Sequence, residues 1–283
     1  MRTVTGSSLW RCLRYDIAAG RRSMATTCLG TSIIAVSLFI YLYALAPSYA
    51  IDTTGFSFGD ALAVILAGSP HIEIRPGMIP SIPLGWLVLL GTVLSASVSY
   101  PSADLGRAGG ASSLLSGSRK TWMASKMAWS AMTVLSTFIV MGGVAFVISI
   151  VLGFSLDLSL HEEVFKLTGV WMDCLMFVPE SILPFVAQAI LVALTFVEVQ
   201  LVVGVFVHPL FAFGLITAYV VAGCYIEVPV FMGNGLMFAR WGFCIANGVP
   251  FEPIIAFALA TLALACLLSF LLIRRVDLLE RRV

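Results

Sequence analysis

A carboxylate inside a long apolar stretch is the first residue of this sequence that could do chemistry. Glu198 is the one charged residue of segment 182–207, which also contains Gln188, Thr195 and Gln200. At about 100° per residue, positions 188, 195 and 198 fall within about 80° of one another on a helix and form one polar stripe. A carboxylate inside a membrane is costly and therefore suggests a function. The stripe has two interpretations, a substrate path or a helix-packing contact. Glu198 could also reach water near a helix end, or a second copy of the chain.

A basic, tryptophan-containing segment is the second candidate site. The residues that we select there are Asp104, Arg107, Ser118, Arg119, Lys120, Trp122 and Lys126. The preference of Lys and Arg for the cytoplasmic side of a membrane explains such a cluster without any partner. Trp122 and Lys126 are four residues apart, so on a helix the indole would lie at the membrane interface while the ammonium reaches the lipid headgroups.

Several kinds of chemistry have no motif in this sequence. No G-x-x-x-x-G-K-[ST] loop occurs, so we expect the chain to bind no ATP or other cofactor itself. There is no H-E-x-x-H motif, and the six cysteines form no C-x-x-C pair, so no metal site is predicted. One disulfide among Cys174, Cys224 and Cys244 stays open. The net charge of +1 argues against a nucleic-acid partner.

The elements that must position these residues are membrane helices. Hydrophobic residues make up 60% of the 283 residues and charged residues 11%, against about 45–50% and about 25% in a soluble domain. The apolar runs are long enough to span a bilayer at 25–46, 82–100, 127–153, 182–207, 209–227 and 253–273. We therefore predict an all-α, polytopic membrane protein with one transmembrane domain of six transmembrane helices. The first run is longer than the core of a secretory signal, so we predict that it is retained.

The positions of Lys and Arg predict the orientation of the chain. Thirteen of the 16 basic residues lie in segment 1–24, in segment 101–126 or in the tail 274–283, and three lie in the alternate segments. A basic excess marks the cytoplasmic side. We therefore predict a multi-pass protein of the cell membrane with both termini in the cytoplasm.

The shorter segments predict helices that do not span the membrane. Residues 9–17 place Trp10 and apolar residues on one helical face and arginines on another, which is typical of an interfacial elbow helix. A simple topology anchor is the alternative interpretation. Segments 56–67 and 229–241 are apolar but too short to span, so we predict short re-entrant or interfacial helices on the outer side.

Part of the chain resembles a known family. The pattern consists of Trp86, then Tyr100-Pro101-x-x-Asp104-Leu105, then Ser118-Arg119-Lys120-x-Trp122-x-x-Ser125-Lys126. It resembles the permease subunits of type-2 ATP-binding cassette (ABC) transporters, and most closely the group found beside peptide-antibiotic and multidrug exporters. The motif-bearing match covers residues 84–130. The chain departs from that pattern at 109–113, where it has a run of small residues.

The resemblance implies the fold and the partners of the protein. It implies a six-span half-transporter whose segment 101–126 is a coupling loop docked on a cytoplasmic ABC ATPase, which would bind ATP and Mg²⁺. It also implies an N-terminal elbow helix, short re-entrant helices between the fifth and sixth spans, and a second permease chain, identical or different. The transported substrate would be amphipathic or lipophilic, such as a peptide antibiotic or a drug.

Two other classes of protein remain as alternatives. An ion-coupled carrier, or a membrane assembly subunit without an ATPase, would also be a multi-pass protein. A carrier would normally have several charges inside the membrane or paired repeats around a midplane site. An intramembrane enzyme is the least favoured class because the motifs named above are missing.

Overall fold

The computed structural model describes residues 6–71, 82–107 and 118–273, and every regular element in these ranges is a helix. The α-helices are α1 (Gly6–Tyr43), α2 (Phe58–Ile65), α3 (Leu84–Arg107), α4 (Arg119–Leu152), α5 (Glu162–Leu167), α6 (Leu183–Phe206), α7 (Pro209–Tyr225) and α8 (Phe251–Leu272). Short 3₁₀ segments lie between them at Ala46–Tyr49, Met172–Cys174, Met232–Leu236 and Phe238–Arg240. The predicted all-α class is confirmed.

Four helices are long and apolar enough to cross a membrane. They are α1, α4, α6 and α8, while α3 and α7 contain the shorter apolar stretches Leu84–Ser95 and Pro209–Tyr225. Since about 20 apolar residues are needed to cross the hydrocarbon core, these four helices make the chain a membrane protein. The count of six spans stays a prediction.

The boundaries of α6, α7 and α8 agree with the last three predicted apolar runs within two residues. The chain turns between α6 and α7 where the two predicted apolar runs meet, with His208 as the N-cap of α7 and Pro209 as its first residue. The ring Nδ1 of His208 accepts a hydrogen bond of 3.2 Å from the backbone N–H of Leu210. Proline fits this position since the first helical residues need no N–H donor.

The first helix differs from the predicted pair of helices. Residues 9–17, predicted as a separate elbow helix, are the first turns of the same continuous 38-residue helix as the first apolar run. At 1.5 Å per residue α1 is about 57 Å long, which exceeds the roughly 30 Å hydrocarbon core. A separate elbow helix is therefore not seen in the described residues.

The central element of the bundle is α6. In its most apolar stretch of 18 residues, 67% of the residues are buried inside the protein, against 17% for the corresponding stretch of α1 and 22% for that of α8. The helix packs against α3, α4, α7 and α8, whereas α1 packs mainly against α4 and α3. Because lipid is as apolar as leucine, the buried faces of such helices are selected by packing and polar contacts. Polar residues of α6 therefore lie among other helices.

The end of the bundle that contains α2, which we call the α2 end, is held together by the buried Arg240. Its guanidinium donates hydrogen bonds to the carbonyl oxygens of Ser69 (2.8 Å) and Cys224 (2.8 Å) and to the side chain of Asn234 (2.7 Å). It also forms an ion pair of 3.3 Å with Glu227. One side chain thus joins the segment after α2, the end of α7 and the 3₁₀ segments.

Candidate functional site

A buried ion pair lies at the opposite end of the bundle. Nζ of Lys126 in α4 is 2.7 Å from Oδ1 of Asp16 in α1, and neither side chain is exposed by more than 2%. The hydroxyl of Tyr100 in α3 donates to the same oxygen at 2.7 Å. The hydroxyl of Ser125 donates to Oδ2 of Asp16. We call these four residues the Asp16 cluster, which joins α1, α3 and α4.

Aromatic rings enclose the Asp16 cluster. Nζ of Lys126 is 4.6 Å from the ring centroid of Tyr100 and 5.5 Å from that of Trp122. Such distances allow cation–π attraction. On the same face of α1, one turn after Asp16, a Cβ on Gly20 would lie 2.5 Å from Nε1 of Trp129. Glycine is therefore required for the close approach of α1 and α4.

The predicted interfacial roles of Trp122 and Lys126 are wrong. Trp122 is 1% exposed and Lys126 is fully buried, so neither side chain reaches the lipid headgroups. The physical reason is the acid on α1: a buried ammonium that is paired and hydrogen-bonded is stable between helices, whereas an unpaired one is not. The spacing of four residues did place both on one face of a helix, but that face is an internal one.

The other residues of the predicted docking segment lie at the ends of α3 and α4. Ser118 is the N-cap of α4, and its hydroxyl accepts from the backbone N–H of Thr121 at 3.1 Å. Arg119 and Lys120 are the first two residues of α4, and both side chains are exposed. Asp104 and Arg107 belong to the final turns of α3. Residues 108–117, between the two helices, and the tail 274–283 lie outside the described residues.

The polar stripe of α6 exists, and its members contact other helices. Gln188 donates from Nε2 to the carbonyl oxygen of Gly235 at 2.9 Å. The hydroxyl of Thr195 lies 3.3 Å from the carbonyl oxygen of Ala258 in α8 and 2.8 Å from that of Leu191 in its own helix. Both side chains are buried. Gln188 and Thr195 are thus packing contacts in this arrangement of the helices.

Glu198 is the third member of the stripe and, like Gln188, has one hydrogen bond and one buried oxygen without a partner among the described residues. It is 3% exposed, so it does not reach water. Its Oε1 is 2.6 Å from the hydroxyl of Ser130 in α4. Its Oε2 is buried and has no hydrogen-bond partner among the described residues. Glu198 lies eight residues, about 12 Å, before the end of α6, well inside a membrane-length helix.

The described residues offer little to a metal ion or a nucleophilic mechanism. They contain no group of three His, Cys, Asp or Glu side chains able to hold a metal, and their six cysteines are all free thiols. The sequence Gly55-Phe56-Ser57-Phe58-Gly59 matches the G-x-S-x-G pattern of serine hydrolases. Ser57, however, is the N-cap of α2, and its hydroxyl donates to the carbonyl oxygen of Ser159 at 2.6 Å. The serine of this pattern therefore caps a helix.

Sequence reasoning missed the partners of both polar sites. Asp16 is the one acidic residue before Asp52, and this isolated acid among arginines was the available signal for a pairing role. Ser130 had no signal, because a serine in an apolar helix commonly bonds to its own backbone. Gly20 also had no signal in the sequence, because the requirement for a glycine at this position follows only from its contact with Trp129.

Comparisons of the chain with protein families, with characterised proteins and with solved structures found no match.

Proposed function

We propose that this chain is the membrane-spanning permease subunit of an ATP-driven ABC exporter. In this proposal two permease chains enclose the transport path, and a separate cytoplasmic ATPase subunit binds ATP and Mg²⁺. The substrate is amphipathic or lipophilic and enters from the cytoplasm or the inner leaflet. A peptide antibiotic or a drug fits this description.

The observation that carries the proposal is the construction of α4. The helix begins with two exposed basic residues, Arg119 and Lys120. Two turns later the same helix is fixed to α1 and α3 through the buried contacts of Lys126. A partner that binds the start of α4 would therefore move three helices together, because a buried ion pair resists separation from its partner.

A rigid connection of this kind is what a coupling segment requires. Interfaces and packed cores change between discrete arrangements rather than deforming continuously. Closure of a docked ATPase on nucleotide would push on the start of α4, and the Asp16 cluster would pass this displacement to α1 and α3. The helices would then tilt as a unit and change access to the path.

Capture of the full chain from its native membrane, in mild detergent, tests the docking step. We expect an ATPase with a phosphate-binding G-x-x-x-x-G-K-[ST] loop among the captured proteins. The double variant Arg119→Glu/Lys120→Glu is expected to lose this ATPase, because its charges are reversed where an acidic or polar surface would bind.

The double variant Arg21→Glu/Arg22→Glu is the matched control. It makes the same change in charge at two exposed positions of α1, so it separates a local docking effect from a general effect of charge. If both variants keep the ATPase, or if the wild-type chain captures none, the proposed docking is wrong.

The buried carboxyl group of Glu198, whose Oε2 has no hydrogen-bond partner among the described residues, favours an ion-coupled carrier as the second candidate function, since such a group inside a membrane helix is typical of ion pathways. The two functions differ in their energy source. A carrier would transport in liposomes under a proton or sodium gradient with no nucleotide, whereas the permease subunit alone would not.

A further inference from the structure

The carboxyl group of Glu198 and the hydroxyl of Ser130 form a pair whose protons can be counted. Oγ of Ser130 is 2.6 Å from Oε1 of Glu198 and 2.9 Å from the carbonyl oxygen of Met127. Both distances are those of O–H···O hydrogen bonds. A serine hydroxyl has one proton and can donate to one of these two acceptors. A second full hydrogen bond needs a second proton, which the carboxyl group of Glu198 can supply; with an ionised carboxylate, the one serine proton is shared between both acceptors.

Among the described residues, no cation forms an ion pair with Glu198 that would balance an ionised carboxylate. Its Oε2 is buried and lacks a hydrogen-bond donor within the described part of the chain. Four residues before Ser130 on α4 lies Lys126, but its ammonium bonds to Asp16. An ionised carboxylate without a partner is very costly away from water.

The helices packed around Glu198 bring few titratable groups. From α8 the thiol of Cys266 lies within electrostatic range of the carboxyl group, and Glu252 is in the first turn, at the other end of that helix. From α3 come Tyr100, which donates to Asp16, and the terminal Asp104 and Arg107. The helix α7 has no charged residue, and Glu198 is the one charged residue of α6.

We propose that Glu198 and Ser130 form a proton-binding site that joins α6 to α4. With the helices packed, the carboxyl group carries the proton and donates it to Oγ of Ser130, while the serine donates to the carbonyl oxygen of Met127. When α4 and α6 separate and water enters, the carboxyl group releases the proton to water. Proton release and separation of the two helices are therefore one coupled step.

This inference does not depend on the proposed transport function, because it concerns the isolated chain. A proton bound in the packed state and released in the open state makes packing weaker as the pH rises, since the state that binds more protons is favoured at low pH. The pH would thus determine how readily α4 and α6 separate.

Infrared difference spectroscopy of the purified chain in lipid tests the inference. The spectrum of the wild type minus that of Glu198→Gln is expected to contain the C=O stretching band of one protonated carboxyl group at neutral pH. This band should disappear at alkaline pH. A difference spectrum with only the bands of an ionised carboxylate at neutral pH overturns the inference.

Two further variants make the spectrum specific. In Ser130→Ala the carboxyl group remains but loses its hydrogen bond, so its C=O band should move to higher frequency; an unmoved band contradicts the pairing. Glu180→Gln changes an exposed acid in the same way and should remove carboxylate bands alone.

The melting temperature gives an independent measurement. Glutamine has nearly the shape of the neutral acid and can also donate to Ser130, so Glu198→Gln should melt close to the wild type at acidic pH, where the carboxyl group is protonated in both the packed and the open state. The melting temperature of the wild type should fall relative to that of Glu198→Gln as the pH rises. A wild type that gains stability relative to the variant over the same range contradicts proton binding in the packed state.

Discussion

Lys126 and Glu198 are both ionisable residues buried between helices, but they differ in the number of groups around them. Lys126 has a carboxylate, a tyrosine hydroxyl and two aromatic rings around its ammonium. Glu198 has one hydroxyl. Removing a partner from a buried pair leaves an uncompensated charge and costs more than the pair itself contributes. The Asp16 cluster is therefore where single substitutions should have the largest effect.

The substitution Lys126→Met should lower the free energy of unfolding by about 3–5 kcal/mol, because Asp16 then stays buried without its cation. Chemical unfolding in detergent micelles measures this loss. The double variant Asp16→Leu/Lys126→Met should recover part of it. Lys120→Met, which removes an exposed lysine of the same helix, should stay within about 0.5 kcal/mol of the wild type. Equal losses in Lys126→Met and Lys120→Met would contradict the buried pairing.

The substitution Gly20→Ala should lower the free energy of unfolding by about 1–3 kcal/mol, since the new methyl group overlaps the indole of Trp129 and overpacks the contact. Gly142→Ala is the matched control, because a Cβ at Gly142 meets nothing within 4 Å. Alanine is the better helix former by about 1 kcal/mol, so the control should not be destabilised. Thermal unfolding of both variants distinguishes a steric effect from a change in helix propensity.

Among the elements, α2 shows how a short helix is fixed at a defined place. Its N-cap Ser57 and the Asp60 side chain form a capping box. Asp60 also accepts from the backbone N–H of His161 (2.9 Å), and its Oδ2 lies 2.6 Å from the ring Nδ1 of the same residue. Burial raises the pKa of the Asp60 carboxyl group, and the hydrogen bonds from His161 and Ser57 act against this rise. Helix α2 is thereby tied to the loop that follows α4.

The substitution Asp60→Asn should cost about 1–3 kcal/mol of unfolding free energy, since the amide group would point a donor at a backbone N–H and leave buried groups unpaired. Asp52→Asn is a suitable comparison. Asp52 is exposed and accepts hydrogen bonds from Thr54 in the same turn, so its loss should be much smaller. A smaller effect at Asp60 than at Asp52 would contradict the role of Asp60 in fixing α2.

The whole molecule has two polar ends joined by apolar helices. Arg240 organises the α2 end, and the Asp16 cluster organises the other end. The predicted orientation puts the start of α4 in the cytoplasm and the α2 end outside the cell. The proposed ATPase can reach Arg119 and Lys120 only if this orientation is correct.

Labelling with a membrane-impermeant thiol reagent tests the orientation. In a background without the native cysteines, Lys120→Cys should react only after the cells are permeabilised. Trp171→Cys should react in intact cells, because Trp171 is 64% exposed near the α2 end. The opposite pattern would place the basic segment outside and exclude a cytoplasmic docking partner.

The fold could be predicted further from the sequence than the site could. Continuous apolar runs place α6, α7 and α8 within two residues, because the bilayer admits few structures other than helices. The start of α4 lies eight residues before the predicted span, since the helix capped by Ser118 begins with Arg119, Lys120 and Thr121, and Lys126 interrupts the apolar run. The stripe of Gln188, Thr195 and Glu198 follows from helical periodicity alone.

The sequence by itself determined that the chain is helical, that it belongs in a membrane, and which face of α6 is polar. These properties follow from composition and periodicity, which act locally. Only the tertiary structure decided that Lys126 is paired with Asp16 and that Glu198 meets Ser130. Each of these contacts joins residues 68 or more positions apart, and which helix faces are brought together depends on the packing of the whole bundle.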